Sequence, residues 1–192
     1  MKSKILDAAI KEFSEKGYHS ASTNIIHKNA GVSKGAIFTH FQSKAELFYQ
    51  AFKYCAEAVI LEYQKNTFSK IYDFFERLTA ITFWKLEYFS KCPHIYRVIT
   101  LAISESPPEI KEKINVELQK FLDLSGDLFF SKVDRERFSD DYSEEEIFFF
   151  FRIALEGLQT YYLKQELSFE SFNQNKSLGL KFIKTVLKGM EK

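Results

Sequence analysis

The sequence has little of what interrupts a helix. Its 192 residues include three prolines, at positions 93, 107 and 108, and seven glycines, and no segment sustains the period-2 alternation of a half-buried strand. Cysteine is as scarce: Cys55 and Cys92 stand at no paired or metal-ligand spacing, which argues against a disulfide framework and for reduced thiols in a cytosol. An excess of one charge is missing too, since the formal net charge is only +1. The longest apolar run, Ile147 to Phe151, spans five residues and stops at Arg152, whereas a bilayer span needs roughly 20. The amino-terminal KSKILDAAIKEF sets charges between Ile5, Ala9 and Phe13, unlike the apolar centre of a signal peptide. An all-α, soluble, cytoplasmic protein without membrane segments is expected.

What is present reads as nine helices, at about 2–16, 23–29, 34–40, 44–65, 68–90, 93–103, 107–130, 144–165 and 174–190. Three Ser-x-x-Glu boxes mark starts, at Ser43/Glu46, Ser106/Glu109 and Ser143/Glu146, because a serine hydroxyl and a glutamate three residues on satisfy donors of a first turn. Pro107 is expected at the first helical position, where its missing N–H costs nothing. Short helices fill residues 1–41 and long ones the rest. The sequence therefore divides into a small head, residues 1–48, and a helical body, residues 49–192, with the polar stretch 131–143 as a loose loop. The head is the more basic part. Its first 50 residues hold seven lysines against four acids, a modest surplus that ordinary scatter of surface lysine could also produce.

Within the head, residues 22–41 have the lengths of a helix-turn-helix, with Gly31 in the turn where a positive φ is needed. Ser33 is placed to cap the following helix, and Val32 and Ile37 to staple its start. Ile37 and Phe41 share the inward face of that helix. The opposite face carries Gly35, Ala36 and Thr39, flanked by Lys34, Phe38 and His40. Such a small-residue face can approach base edges, where threonine bonds and alanine packs on a thymine methyl. It can equally be a bland exposed surface or a site for another helix, and composition does not choose between them. Gly35 is the odd residue, because glycine is disfavoured by about 1 kcal/mol relative to alanine in a helix interior.

The segment SASTNIIHKNAGVSKGAIFTHFQSKAELF resembles the DNA-binding domain of TetR-type bacterial transcriptional regulators. The resemblance rests on Ile26, Ala30, Gly31, Val32, Ser33, Gly35, Ile37, His40, Phe41, Ser43, Lys44 and Leu47, with Phe13, Gly17 and Tyr18 also in place upstream. It implies a helix laid in the major groove of an operator. Phosphate contacts would come from Ser22, Thr23, His40 and Lys44, and base contacts from Lys34, Ala36 and Thr39, with Gly35 allowing close approach. Three positions depart from the pattern: Ser22 stands for threonine, His27 for alanine and Phe38 for tyrosine. Without a hydroxyl, Phe38 cannot bond a phosphate, so Thr39 and His40 would anchor more. His19 and His27 have no partners at metal-ligand spacing and are expected at the surface or a helix junction.

The resemblance further implies a homodimer and a small-molecule pocket in each subunit. The body is compatible with both. Helices 144–165 and 174–190 carry more apolar surface than one subunit's core can cover, and Gly157 would let helices approach, although a monomer could bury the same residues. Aromatic residues crowd the middle of the body, among them Phe68, Phe74, Phe75, Phe83, Phe89, Phe121, Phe129 and Phe130. They suggest an apolar, planar or acyl-chain effector. Trp84, Tyr88, His94, Tyr96, Arg97, Arg152, Gln159 and Tyr162 join an apolar body to a polar tip and are candidates to orient it. The expected function is a ligand-responsive, DNA-binding repressor released from a palindromic site. The alternatives are an all-helical enzyme or small-molecule-binding protein using the aromatic body, and a module whose head binds protein. The enzyme lacks a nucleophile–base pair, a Glu-x-x-His pair and a phosphate loop, so no catalytic, metal or cofactor residue is assigned.

Overall fold

The computed structural model describes the backbone of residues 1–129, 135–164 and 169–192, and side chains over the same residues except 121–129, 163 and 164. Among the described residues the chain is helical: α1 (Lys2–Ser20), α2 (Thr23–Asn29), α3 (Lys34–His40), α4 (Lys44–Gln64), α5 (Phe74–Lys91), α6 (Pro93–Glu105), α7 (Pro108–Phe129), α8 (Glu144–Lys164) and α9 (Phe169–Lys188), with 3-10 turns at Phe68–Lys70 and Arg135–Arg137. The one extended pairing described is an isolated bridge between Phe138 and Glu191. No described helix is long and apolar enough to cross a membrane.

The residues form two compact units, Met1–Asn66 with His94–Ser125, and Thr67–Pro93 with Gly126–Lys192. These packing units cut the chain elsewhere than the division by role at residues 48 and 49. In the first unit the amphipathic stripe of α1 supplies Ile5, Ala9 and Phe13. They pack with Ile26, Ile37, Phe41, Leu47, Phe48 and Phe52, all essentially inaccessible to solvent. Each such large side chain contributes about 1.5–3 kcal/mol of burial. Phe13 meets Phe48 edge-on at 4.9 Å. Helical geometry in α1 is interrupted at Gly17, with φ 75° and ψ 168°, close to the expected end at residue 16. That break brings the Tyr18 ring to 5.2 Å from Phe48. Glu12, buried on the same stripe, accepts the Ser22 N–H at 3.0 Å and ties α1 to the start of α2.

The second unit is built on rings. Phe75 meets Phe151 at 4.8 Å and Phe138 at 5.3 Å, both edge-on. Gly179 lets α8 and α9 approach so closely that a Cβ there would lie 2.6 Å from the Tyr162 hydroxyl. That hydroxyl donates to the Asn175 carbonyl at 2.6 Å.

Several boundaries differ from the sequence expectation. Helix α5 starts at Phe74 rather than residue 68, because Asp73 caps it, accepting the Glu76 N–H at 2.7 Å. Helix α7 starts at Pro108, and the Pro107 carbonyl accepts the Ile110 N–H at 3.1 Å, so Ser106 is out of register for a box with Glu109. Helix α9 starts at Phe169 rather than 174, drawn in by the burial of Phe172 against Tyr162, whose rings are 5.6 Å apart. The expected ends at 130 and 165 lie outside the described residues.

The expected loose loop 131–143 is corrected over its described part, since 131–134 lie outside. Phe138 is fully buried, and Arg137 donates to Asp73 at 2.8 Å and Glu191 at 2.6 Å. The Ser139 N–H also donates to the Met190 carbonyl at 2.9 Å. At Ser143 both arms of the capping box form, the Glu146 carboxylate accepting the Ser143 N–H at 2.8 Å and the Ser143 hydroxyl accepting the Glu146 N–H at 3.2 Å. At Ser43 only the serine arm forms, at 3.0 Å, because the Glu46 carboxylate turns instead to Gln50 and Lys113.

Candidate nucleic-acid interface

The turn between α2 and α3 is set by backbone chemistry. Gly31 takes φ 65°, the left-handed region where a Cβ is strained. Its N–H donates to the Lys28 carbonyl at 3.1 Å, and the Val32 N–H reaches back to the His27 carbonyl at 3.0 Å. This pair of bonds is a Schellman motif, which satisfies carbonyls that a helix end leaves open. His27 adds a brace: its Nδ1 lies 3.2 Å from the Val32 carbonyl. A carbonyl can only accept, so Nδ1 carries the proton. The role of His27 as a junction residue is thus geometric.

Ser33 then opens α3, its hydroxyl accepting the Ala36 N–H at 3.2 Å. Ile37 is buried beneath the helix, while Lys34, Gly35, Phe38, Thr39 and His40 are exposed and Ala36 is half-buried. The small-residue face therefore looks outward as one surface. Nothing among the described residues needs Gly35 to be glycine: a Cβ there would find its nearest neighbour, the Ser33 hydroxyl, at 3.9 Å. Thr39 donates its hydroxyl proton to the Gly35 carbonyl at 3.0 Å, which leaves oxygen lone pairs facing out as acceptors.

The expected phosphate ligands differ in their freedom. Ser22 is the residue before α2 but its hydroxyl makes no cap, while its backbone N–H donates to Glu12 at 3.0 Å. Lys44 is engaged already. Its ammonium donates to the His19 carbonyl at 2.9 Å and sits 4.9 Å from the Tyr18 ring centroid, and burial draws its pKa below the ordinary lysine value against the opposing pull of Glu12. Two of its three donors are left for an anion. Glu12 was not singled out from sequence; a charged residue seven positions after Ile5 on an otherwise apolar stripe was the available signal.

The effector candidates are divided between the two packing units. Trp84 and Tyr88 stack on α5, with centroids 5.8 Å apart and planes inclined by 20°. His94, Tyr96 and Arg97 belong to the other packing unit, where His94 Nδ1 lies 2.7 Å from the Ser14 hydroxyl. Arg152 is exposed on α8 with its guanidinium 5.9 Å from the Phe149 ring, and Gln159 is half-buried. Tyr162 is a core residue committed to Asn175. The side chains of Phe121, Phe129 and Phe130 lie outside the described residues.

A three-helix head with a pinned turn, an exposed small-residue face and a cation at the start of α4, carried on an all-helical body, defines a helix-turn-helix DNA-binding regulator. Residues 5–51 match the family model of bacterial regulatory proteins of the TetR family. The biofilm operon icaADBC HTH-type negative transcriptional regulator IcaR of Staphylococcus aureus is 26% identical over 92% of this chain and 91% of its own length. The fatty acid metabolism regulator protein of Bacillus subtilis is 27% identical over 62% of this chain and 61% of its own. The crystal structure of FadR from Bacillus subtilis in complex with stearoyl-CoA shares the fold, with a TM-score of 0.73 at 18% identity over the whole of both chains. Residues 5–51 are thus a DNA-binding domain of the TetR type, and the relatives matched along the rest of the chain are transcriptional regulators.

Proposed function

We propose that the protein is a cytoplasmic homodimeric repressor that holds a palindromic operator through two copies of α3 and releases it on binding a small, largely apolar effector. The observation that carries the DNA-reading part is the outward face of α3. It is the one surface of the head where the fold leaves a glycine unexplained beside exposed Lys34, Thr39 and His40. In this reading Ser22, Thr23, His40 and Lys44 hold phosphates, Lys34, Ala36 and Thr39 meet bases, and Phe38, 44% exposed, packs without a polar contact. The body acts as a receptor rather than a catalyst.

Dimerisation is supported by apolar side chains left outside on α8 and α9. Phe149, Ile153 and Tyr161 repeat every four or eight residues along α8, and Leu178 and Phe182 along α9, each between 44% and 61% exposed. Gly157 lies between Ile153 and Tyr161 with open space above it. A groove of about 330 Å³ runs there, lined by Gly157, Tyr161, Leu178 and Phe182. A monomer would leave this stripe in water, whereas a second copy covers it. An acyl-type effector fits the relatives, one a fatty acid metabolism regulator and one solved with stearoyl-CoA.

A mobility-shift titration on the DNA upstream of the protein's own gene tests the DNA-reading part. Lys34→Ala and Lys44→Ala should each weaken binding, and Lys44→Ala should reduce the log–log salt slope by about 0.9 through loss of one phosphate contact. An unchanged slope removes Lys44 from the phosphate set, and no shift at low salt refutes DNA binding there.

A further inference from the structure

Helix α5 has two faces. Phe75, Phe83 and Leu86 pack into the core of their unit. Ile81, Trp84, Lys85 and Tyr88, at the i, i+3, i+4, i+7 spacing of one helical stripe, turn away from that core, yet none of the four is exposed. Phe68 closes on the stripe, edge-on to Trp84 at 5.9 Å. Lys85 therefore stands on a half-buried stripe with Trp84 and Tyr88 rather than on an exposed face. Among the described residues no carboxylate lies within ion-pair distance of it, and the nearest acid in sequence, Glu87, is engaged by Lys91 at 2.8 Å and Lys176 at 3.0 Å. Burial draws the Lys85 amine below its ordinary pKa. A desolvated ammonium without a counter-charge is costly to the fold, and an anion brought by a ligand would offset that cost.

We propose that Lys85 is the anion anchor of the effector site: Ile81, Trp84 and Tyr88 lie along a hydrocarbon chain, and the Lys85 ammonium pairs with the anionic head of the same molecule. The effector class is thereby narrowed from apolar compounds to anionic amphiphiles with a carboxylate or phosphate head. This rests on the ligand-responsive reading above and adds the head-group requirement.

Trp84 is the protein's single tryptophan, so its intrinsic fluorescence reports this stripe alone. The full-length protein is titrated with oleate, oleoyl-coenzyme A and oleyl alcohol, all below their micellar concentrations. The expected result is a saturable change in Trp84 emission with one or both anionic ligands and binding of the alcohol at least about tenfold weaker, the lower end of what a charged hydrogen bond contributes. Oleate without oleoyl-coenzyme A assigns a carboxylate, and the reverse assigns phosphates.

Lys85→Met, which keeps the stem and removes the charge, should erase the preference for the anion and leave the alcohol within about twofold. Lys85→Arg should retain the preference, and serves as the test if the methionine variant fails to fold. Equal binding of anion and alcohol by the unaltered protein overturns the proposal, as does a preference that survives Lys85→Met or the absence of any saturable change. Operator release is read in parallel. Anion binding at Trp84 without release refutes the ligand-responsive reading and leaves the anchor standing. Release of equal potency in Lys85→Met refutes the anchor and leaves the reading standing.

Discussion

Gly35→Ala separates folding from DNA recognition, because the two should move in opposite directions. Gly35 has an ordinary helical φ, since among the described residues the glycines with positive φ are Gly17 and Gly31, and an added Cβ would meet nothing closer than the Ser33 hydroxyl at 3.9 Å. Alanine should therefore stabilise α3. The gain is at most about 1 kcal/mol, an upper bound because position 35 lies in the first turn, and for a chain of this size it raises Tm by about 2–4 °C. On the DNA side the same methyl stands on the face that must approach the groove. Overpacking a close interface costs about 1–3 kcal/mol, which is about 5- to 150-fold in Kd. The assay pairs thermal unfolding followed by circular dichroism with fluorescence anisotropy on a labelled operator at fixed salt. A variant that is more stable and binds DNA as well as before would refute the close-approach argument and return Gly35 to an unremarkable surface position. A variant that is less stable would show instead that the fold, not the DNA, requires glycine there.

Gly179→Ala should destabilise by about 1–3 kcal/mol, because its Cβ would fall 2.6 Å from the Tyr162 hydroxyl and 3.0 Å from the Phe83 ring. Adding Tyr162→Phe removes the nearest clashing atom, so denaturant unfolding of the double variant should show coupling, and simple additivity would refute the close packing of α8 on α9. Cys55 is fully buried and burial pushes its thiol up to about 12, so at pH 8 only about one molecule in ten thousand carries the thiolate. Mass spectrometry after iodoacetamide treatment should find a single adduct, on Cys92, in the native protein and two after denaturation. A second adduct without denaturant would refute the burial of Cys55.

The features legible in the sequence are those whose chemistry closes within a few residues. Ser33 and Ser143 cap because their acceptors and donors lie three positions apart, and Gly31 turns because two backbone bonds span four and six residues around it. The helix-turn-helix is almost wholly such local chemistry, which is why its residues could be named with their faces. Phe138 shows where this stops. It sits in a polar stretch that looks like a loop, yet Phe75, 63 positions earlier, buries it, and Arg137 beside it is held by Asp73. The same Asp73 sets the start of α5, so one long-range pair decides both a boundary and the order of a connection.

The effector side is harder for the same reason. An aromatic ring reads identically in sequence whether it fills a core, as Tyr162 does, or lines a binding surface, as Trp84 is argued to do. What distinguishes them is a neighbour, such as the Asn175 carbonyl that accepts from Tyr162, or the lack of an ion-pair partner at Lys85 among the described residues. In sequence Lys85 reads as an ordinary solvated mid-helix lysine; only its place on the half-buried stripe of Trp84 and Tyr88, facing away from the core without being exposed, makes its charge a requirement that a ligand can meet.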